Sequence, residues 1–188
     1  MSNPLTESEM LQRIQEIQTG YYSENGKNRF FKNRQKNDIA QQVCTELDYE
    51  RIIPLTIYVL PNTNKVFFNY PIFKTFGMPD NYGYCQYYLQ DLISSKILCT
   101  YSTFEIHINL ASFTISAAHR YFEAIKSLFE ETTQMTEQMD SLVVYHTPAV
   151  VEQIRTILHP IIRQIIPKIR YFSKQESDVK LQELHNMS

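Results

Sequence analysis

The sequence predicts an α/β fold, a mainly parallel mixed sheet flanked by helices, with a short N-terminal helical region ahead of it. Three observations carry that expectation. Residues 104–110 alternate strictly, with Phe104, Ile106, Ile108 and Leu110 on one face and Glu105, His107 and Asn109 on the other. That is the period of a strand with one face on a core. From residue 55 onward, strand-like runs alternate with stretches of helical apolar spacing, in the order β-β-α-β-α-β-α-β-α; such alternation implies crossover connections and parallel pairing. A length of 188 residues with 43% hydrophobic side chains suits one domain with a sizeable core.

At the N-terminus, Thr6 followed by Glu9 forms a capping box, and Met10, Ile14 and Ile17 then recur at helical spacing. This helix is expected to stop near Gly20, with 21–37 a polar linker or surface loop and a second short helix over Asp38–Leu47. Residues 1–50 thus form an N-terminal helical region with a basic linker, and 51–188 the α/β domain. Leu55–Leu60 and Lys65–Tyr70 read as strands joined by the turn residues Pro61 to Asn64, a β-hairpin. Gly77 and Pro79 punctuate the chain, and Cys85, Tyr88, Leu89, Leu92 and Ile93 form a helical apolar face.

After the strand at 104–110, a helix is expected over about 116–132, striped by Ala118, Phe122, Ile125 and Phe129. Leu142–Tyr145 is a short apolar strand. Thr147 as cap and Pro148 at the first position start the next helix, faced by Val151, Ile154, Leu158 and Ile161, which Pro160 should kink or end. Ile169–Phe172 is strand-like, and a final amphipathic helix carries Val179, Leu181 and Leu184.

The composition argues against several function classes. With 18 Lys and Arg against 20 Asp and Glu, nothing drives the whole chain toward nucleic acid or an anionic membrane, so any basic function is local. The four glycines, Gly20, Gly26, Gly77 and Gly83, support no GxGxxG turn, Walker loop or GxSxG elbow. The five histidines form no HxxxH or HxH pair and sit with no carboxylate at ligand spacing on one element, so no metal, cofactor or catalytic site is expected. His107 and His146 read as hydrogen-bonded structural residues. Cys44, Cys85 and Cys99 form no CxxC and read as buried packing residues in a reducing compartment. The polar, acidic N-terminus is no signal peptide, and no apolar run spans a bilayer. An intracellular, cytoplasmic location is expected, with peripheral membrane contact at most.

One local feature is basic. Lys27, Arg29, Lys32, Arg34 and Lys36 surround Phe30 and Phe31. Five cations with two aromatics suit an anionic surface such as lipid headgroups; the plainer reading is a solvated linker whose aromatics dock on the core.

The stretch Ile106 to Phe113 resembles the strand and Asp-x-x-Gly-Phe turn of the CRAL-TRIO family. Leu142 to Pro148 is similar to that family's strand ending in an Asn-Ala-Pro step. Pro148 and Pro160 are twelve residues apart and are followed by Lys168-Ile169-Arg170-Tyr171-Phe172, similar to the family's spacing of helix and fifth strand. The resemblance implies a lipid-headgroup site; aligned on Pro148, its Glu falls at Glu137 and its Lys at Lys168. The chain departs from the pattern at Ala111, where the family has glycine, and at Asn109, where it has an acid. It also lacks the Leu-Pro…Gly-Gly stretch that follows the gate helix. The tail, His159-Pro160-Ile161-Ile162 through Gln182-Glu183-Leu184, is more similar to BCH-type domains and the related domain of the Rho GTPase-activating protein, which mostly bind proteins, including small GTPases.

The expected function is therefore that of a non-catalytic interaction or scaffold domain, engaging a small GTPase or the subunits of an assembly. The alternative is binding or transfer of a phospholipid or other hydrophobic small molecule. Bulky Phe122, Phe129, Ile154 and Leu158 are expected to fill the space above the sheet, leaving a small pocket or none.

Overall fold

The computed structural model describes residues 6–28, 30–130 and 133–186. Its center is a five-stranded sheet among those residues, in the order β1-β2-β3-β4-β5. The strands are β1 (Ile57–Val59), β2 (Lys65–Asn69), β3 (Phe104–Asn109), β4 (Met139–Tyr145) and β5 (Ile169–Tyr171). The hairpin pair β1–β2 is antiparallel, and every later neighbor is parallel. The α/β class and the strand order along the chain match the sequence expectation, and β3 is the middle strand.

Because strand order equals chain order, right-handed crossovers put all connecting helices on one face. Between β2 and β3 run α4 (Tyr70–Phe76), α5 (Pro79–Asp91) and a π-helical turn at Leu92–Ile97. Then come α6 (Ile115–Arg120), α7 (Phe122–Glu130) and α8 (Thr133–Gln138) before β4, and α9 (Val151–Ile162) before β5. Upstream lie α1 (Glu7–Asn25), α2 (Lys32–Glu46) and α3 (Tyr49–Thr56). One apolar cluster joins Ile14 and Ile17 of α1, Ile39 and Val43 of α2, and the sheet residues Ile57, Val66, Ile106, Leu142 and Val144. The N-terminal helices thus pack into the same core as the sheet. The opposite face is covered by α10 (Lys174–Asn186) alone among the described helices, through Leu184 against Leu60, Phe67, Val143 and Tyr145.

Several local expectations are corrected. Thr6 does cap α1, its Oγ accepting from the Glu9 amide at 3.3 Å, but the helix runs through Gly20 to Asn25. A single glycine inside a helix costs it only about 1 kcal/mol, which the apolar face of α1 outweighs. The supposed linker is mostly helix, since α2 already begins at Lys32. The run Tyr49–Thr56 is a helix, started by Asp48, whose carboxylate accepts from the Glu50 amide at 3.0 Å. The helix expected over 116–132 is broken at Tyr121, and residues 131 and 132 lie outside the described residues. Thr147 is no cap: its hydroxyl is buried without a hydrogen-bond partner, and α9 begins only at Val151. That helix continues through Pro160 to Ile162. Cys85 is buried, but Cys44 is half-buried and Cys99 exposed, and Val179 faces solvent.

Candidate functional site

An apolar cavity of about 240 Å³ lies between the helix-bearing face of the sheet and its helices. The strands contribute the side chains that alternation points that way: Val66 and Phe68, Ile106 and Ile108, Leu142 and Val144, Ile169 and Tyr171. The roof comes from Cys85 and Leu89 of α5, Ala124, Ile125, Leu128 and Phe129 of α7, and Val151, Ile154 and Leu158 of α9. An aromatic wall closes one side, where Tyr121 packs on Tyr70, Phe73 and Tyr82 at ring separations of 6.1, 5.2 and 5.9 Å. Burial pushes the Tyr70 hydroxyl up to about 12 and raises Tyr121 as well, so both stay neutral.

The expectation of a small pocket or none meets a pocket of modest size, although the bulky side chains do not fill it. Phe129, Ile154 and Leu158 line the void and do not fill it, and Phe122 does not line it. The physical reason is the seating of α7. None of Phe122–Phe129 is fully buried, so this helix stands off the sheet. The break at Tyr121 lets it do so, since Tyr121 itself is anchored in the core at 4% exposure.

Polar groups at the cavity are few. Gln86 is tied up by Ser127, whose hydroxyl donates to its amide oxygen at 3.0 Å. At the β5 edge, Arg155 and Tyr171 line the cavity and are both exposed. Arg155 pairs with Glu152 at 3.4 Å. The chemistry the cavity suits is burial of an apolar body, with a polar end at Arg155 and Tyr171.

The other sheet face carries a charged network. Glu105 accepts from Lys65 at 2.7 Å and lies 3.2 Å from His107 Nε2. A carboxylate only accepts, so Nε2 carries the ring proton and Nδ1 accepts from the Tyr145 hydroxyl at 2.8 Å. Arg170 donates to Ser141 at 2.8 Å, and Ser141 donates to Glu105 at 3.3 Å. Burial, with Lys65 adding to it, lowers His107 to about 4. Glu105 and His107 are therefore a carboxylate–histidine pair on one strand, a correction to the sequence reading that found none. The His107 ring is buried at 4% exposure, as is Tyr145 at 3%, stacked on Phe172, while Glu105 is half-buried.

His146 has a left-handed backbone, φ 51°, at the end of β4. Its ring bonds to Asn109 and Asp178, each at 2.9 Å, and its amide donates to Ser177 at 2.6 Å, tying the ends of β3 and β4 to α10. Among the described residues, no group of three or more His, Cys, Asp or Glu is placed to hold a metal ion.

Of the two residues that the resemblance assigns to a headgroup, Lys168 is engaged with backbone. Its Nζ donates to the carbonyls of Thr136 at 2.9 Å, Glu137 at 3.4 Å and Met139 at 2.6 Å, fastening the junction of α8 and β4. The Glu137 side chain is exposed. The backbone of Glu137 and the head of Lys168 are thus neighbors, but neither residue lines the cavity.

No family model matches the chain, and no curated protein matches it. In the basic run, Arg29 lies outside the described residues, while Phe30 and Phe31 stand exposed and Lys32, Arg34 and Lys36 lie on α2. The aromatics therefore do not dock on the core. The cavity residues were missed from sequence because the apolar periodicity of a hollow core is the same as that of a filled one. The one faint signal was small Ala124 beside the Phe122, Ile125 and Phe129 stripe of α7.

Proposed function

We propose that the chain is a non-catalytic binding domain of CRAL-TRIO-like character that holds an apolar small molecule, such as an acyl chain, in the cavity beneath α7. The observation that carries this reading is the size and lining of the void. Apolar walls that face unfilled space lack dispersion partners on that side. An apolar guest supplies those contacts, and apolar cavities somewhat smaller than this one take up benzene or xenon. The volume lies below the 300–1,000 Å³ of drug-sized ligand sites, which favors a slender guest.

The test is binding of a fluorescent fatty-acid probe, together with mass spectrometry of what co-purifies. The wild type should take up the probe saturably. Ala124→Phe, which pushes a ring into the void from α7, should lose at least tenfold in affinity while keeping its melting temperature. Probe binding that Ala124→Phe leaves unchanged, or no binding to wild type, would sink the proposal. The scaffold reading then returns, with a protein partner such as a small GTPase in place of the lipid. It has one observation in its favor: Lys168 is already spent on backbone carbonyls and is not poised for a headgroup.

A further inference from the structure

The basic run separates into two groups with different surroundings. Lys27 sits over the Tyr22 ring at 5.3 Å. Arg34 lies near Tyr21, whose hydroxyl donates to Asp38 at 2.8 Å, so its charge has a carboxylate close by. Lys32 and Lys36, one turn apart on α2, point to a different neighborhood. There Arg120 of α6 donates to Asn37 at 2.7 Å and to the Gly77 carbonyl at 3.4 Å. Lys74 of α4 donates to the Ser112 hydroxyl at 2.6 Å. Three helices thus bring Lys32, Lys36, Lys74 and Arg120 together; Lys74 and Arg120 bond only neutral oxygens, and Arg120 also lies over the Tyr121 ring at 5.5 Å, so no anion balances the group among the described residues. No ion pair includes any of the four among the described residues. Arg120 Nη1 is moreover buried with no hydrogen-bond partner. Burial, reinforced by Arg120, Lys32 and Lys74, holds Lys36 below its ordinary range, as expected of a cation among cations.

Ahead of this patch, at the turn that starts α2, Phe30 is 95% and Phe31 59% exposed. Uncompensated cations next to two projecting aromatic rings are complementary to an interface with negative headgroups above and hydrocarbon below. A nucleic acid would satisfy the charges, but a ring projecting almost wholly from a turn offers no groove to track a strand. We propose that the head of α2, with Lys74 and Arg120, is a docking surface for an anionic lipid bilayer. It is independent of whether the cavity is occupied.

The experiment is flotation of the full chain with phosphatidylcholine vesicles, with and without phosphatidylserine. The wild type should float only with phosphatidylserine, and added salt should weaken it. Lys36→Glu with Lys74→Glu should cut partitioning at least tenfold, at about fivefold per cation removed, and Lys36→Arg with Lys74→Arg should retain it. Phe30→Ser with Phe31→Ser should cut it roughly tenfold while leaving the salt dependence. Arg34→Glu, beside Asp38, should lose less than either lysine reversal. Circular dichroism melts of each variant separate docking from folding. Failure of the wild type to float, flotation indifferent to Lys36 and Lys74, or capture of single-stranded RNA in place of vesicles would each overturn the proposal.

Discussion

His107 sits where a strand normally carries an apolar or solvated side chain, and it is buried as a neutral ring between Glu105 and Tyr145. Its folded pKa of about 4 lies below the ordinary 6.5, so the unfolded chain binds the proton more readily over that window. Stability is therefore full above pH 6.5 and falls as pH drops toward 4, by on the order of 3 kcal/mol. Glu105 shifts the same way: burial raises it, but Lys65 and His107 outweigh burial and hold it low, so protonating it also costs stability. Urea midpoints measured from pH 7 to 4 should fall steadily in the wild type. His107→Gln, which keeps a donor and an acceptor without the titration, should show a clearly shallower fall; equal slopes would mean that His107 is not the titrating group. The alternation of residues 104–110 made this face readable as polar. It did not show that Glu105 and His107, two residues apart, bond to each other, because that depends on Lys65 and Tyr145 from neighboring strands.

At the scale of elements, α7 is the least committed wall of the cavity. Its residues Phe122–Phe129 are half-buried or exposed, whereas β3 beneath it is paired on both sides. Local opening free energy follows buried contact, so α7 should exchange its amides with solvent much faster than β3. A bound apolar guest should slow exchange in α7 selectively; protection equal to that of β3 in the empty protein would contradict a helix standing off the sheet. The sequence announced the stripe of α7 but not its break, since nothing in His119-Arg120-Tyr121-Phe122 is a helix breaker. The helix α3 was hidden for the opposite reason. Ile52-Ile53-Pro54-Leu55 is a β-like apolar run around a proline, and only its burial against α4 shows it to be helical. Strands β1 to β5 were legible because alternation or a short apolar run flanked by turn residues is a local signal. The joining of Lys36 to Lys74 and Arg120 was not, because it spans three helices.

At the scale of the whole molecule, the void bears on how the protein responds to compression. Unfolding eliminates internal empty volume, so pressure favors the unfolded chain in proportion to it. Ala124→Phe should therefore raise the pressure at which the protein unfolds, measured by tyrosine fluorescence, even where its thermal stability changes little. Identical pressure midpoints would mean that the space is already occupied or closed. A last consequence follows from a sheet laid down in chain order. Each strand from β2 onward finds its neighbor already made, so the sheet grows from one edge during synthesis, and no strand has to wait for a distant segment or be inserted between two others. Until α10 emerges, however, Phe67, Val143 and Tyr145 lack the cover of Leu184. The nascent protein therefore passes through a state that is complete on one side and adhesive on the other, and the last helix ends its exposure to chaperones and to other copies of itself.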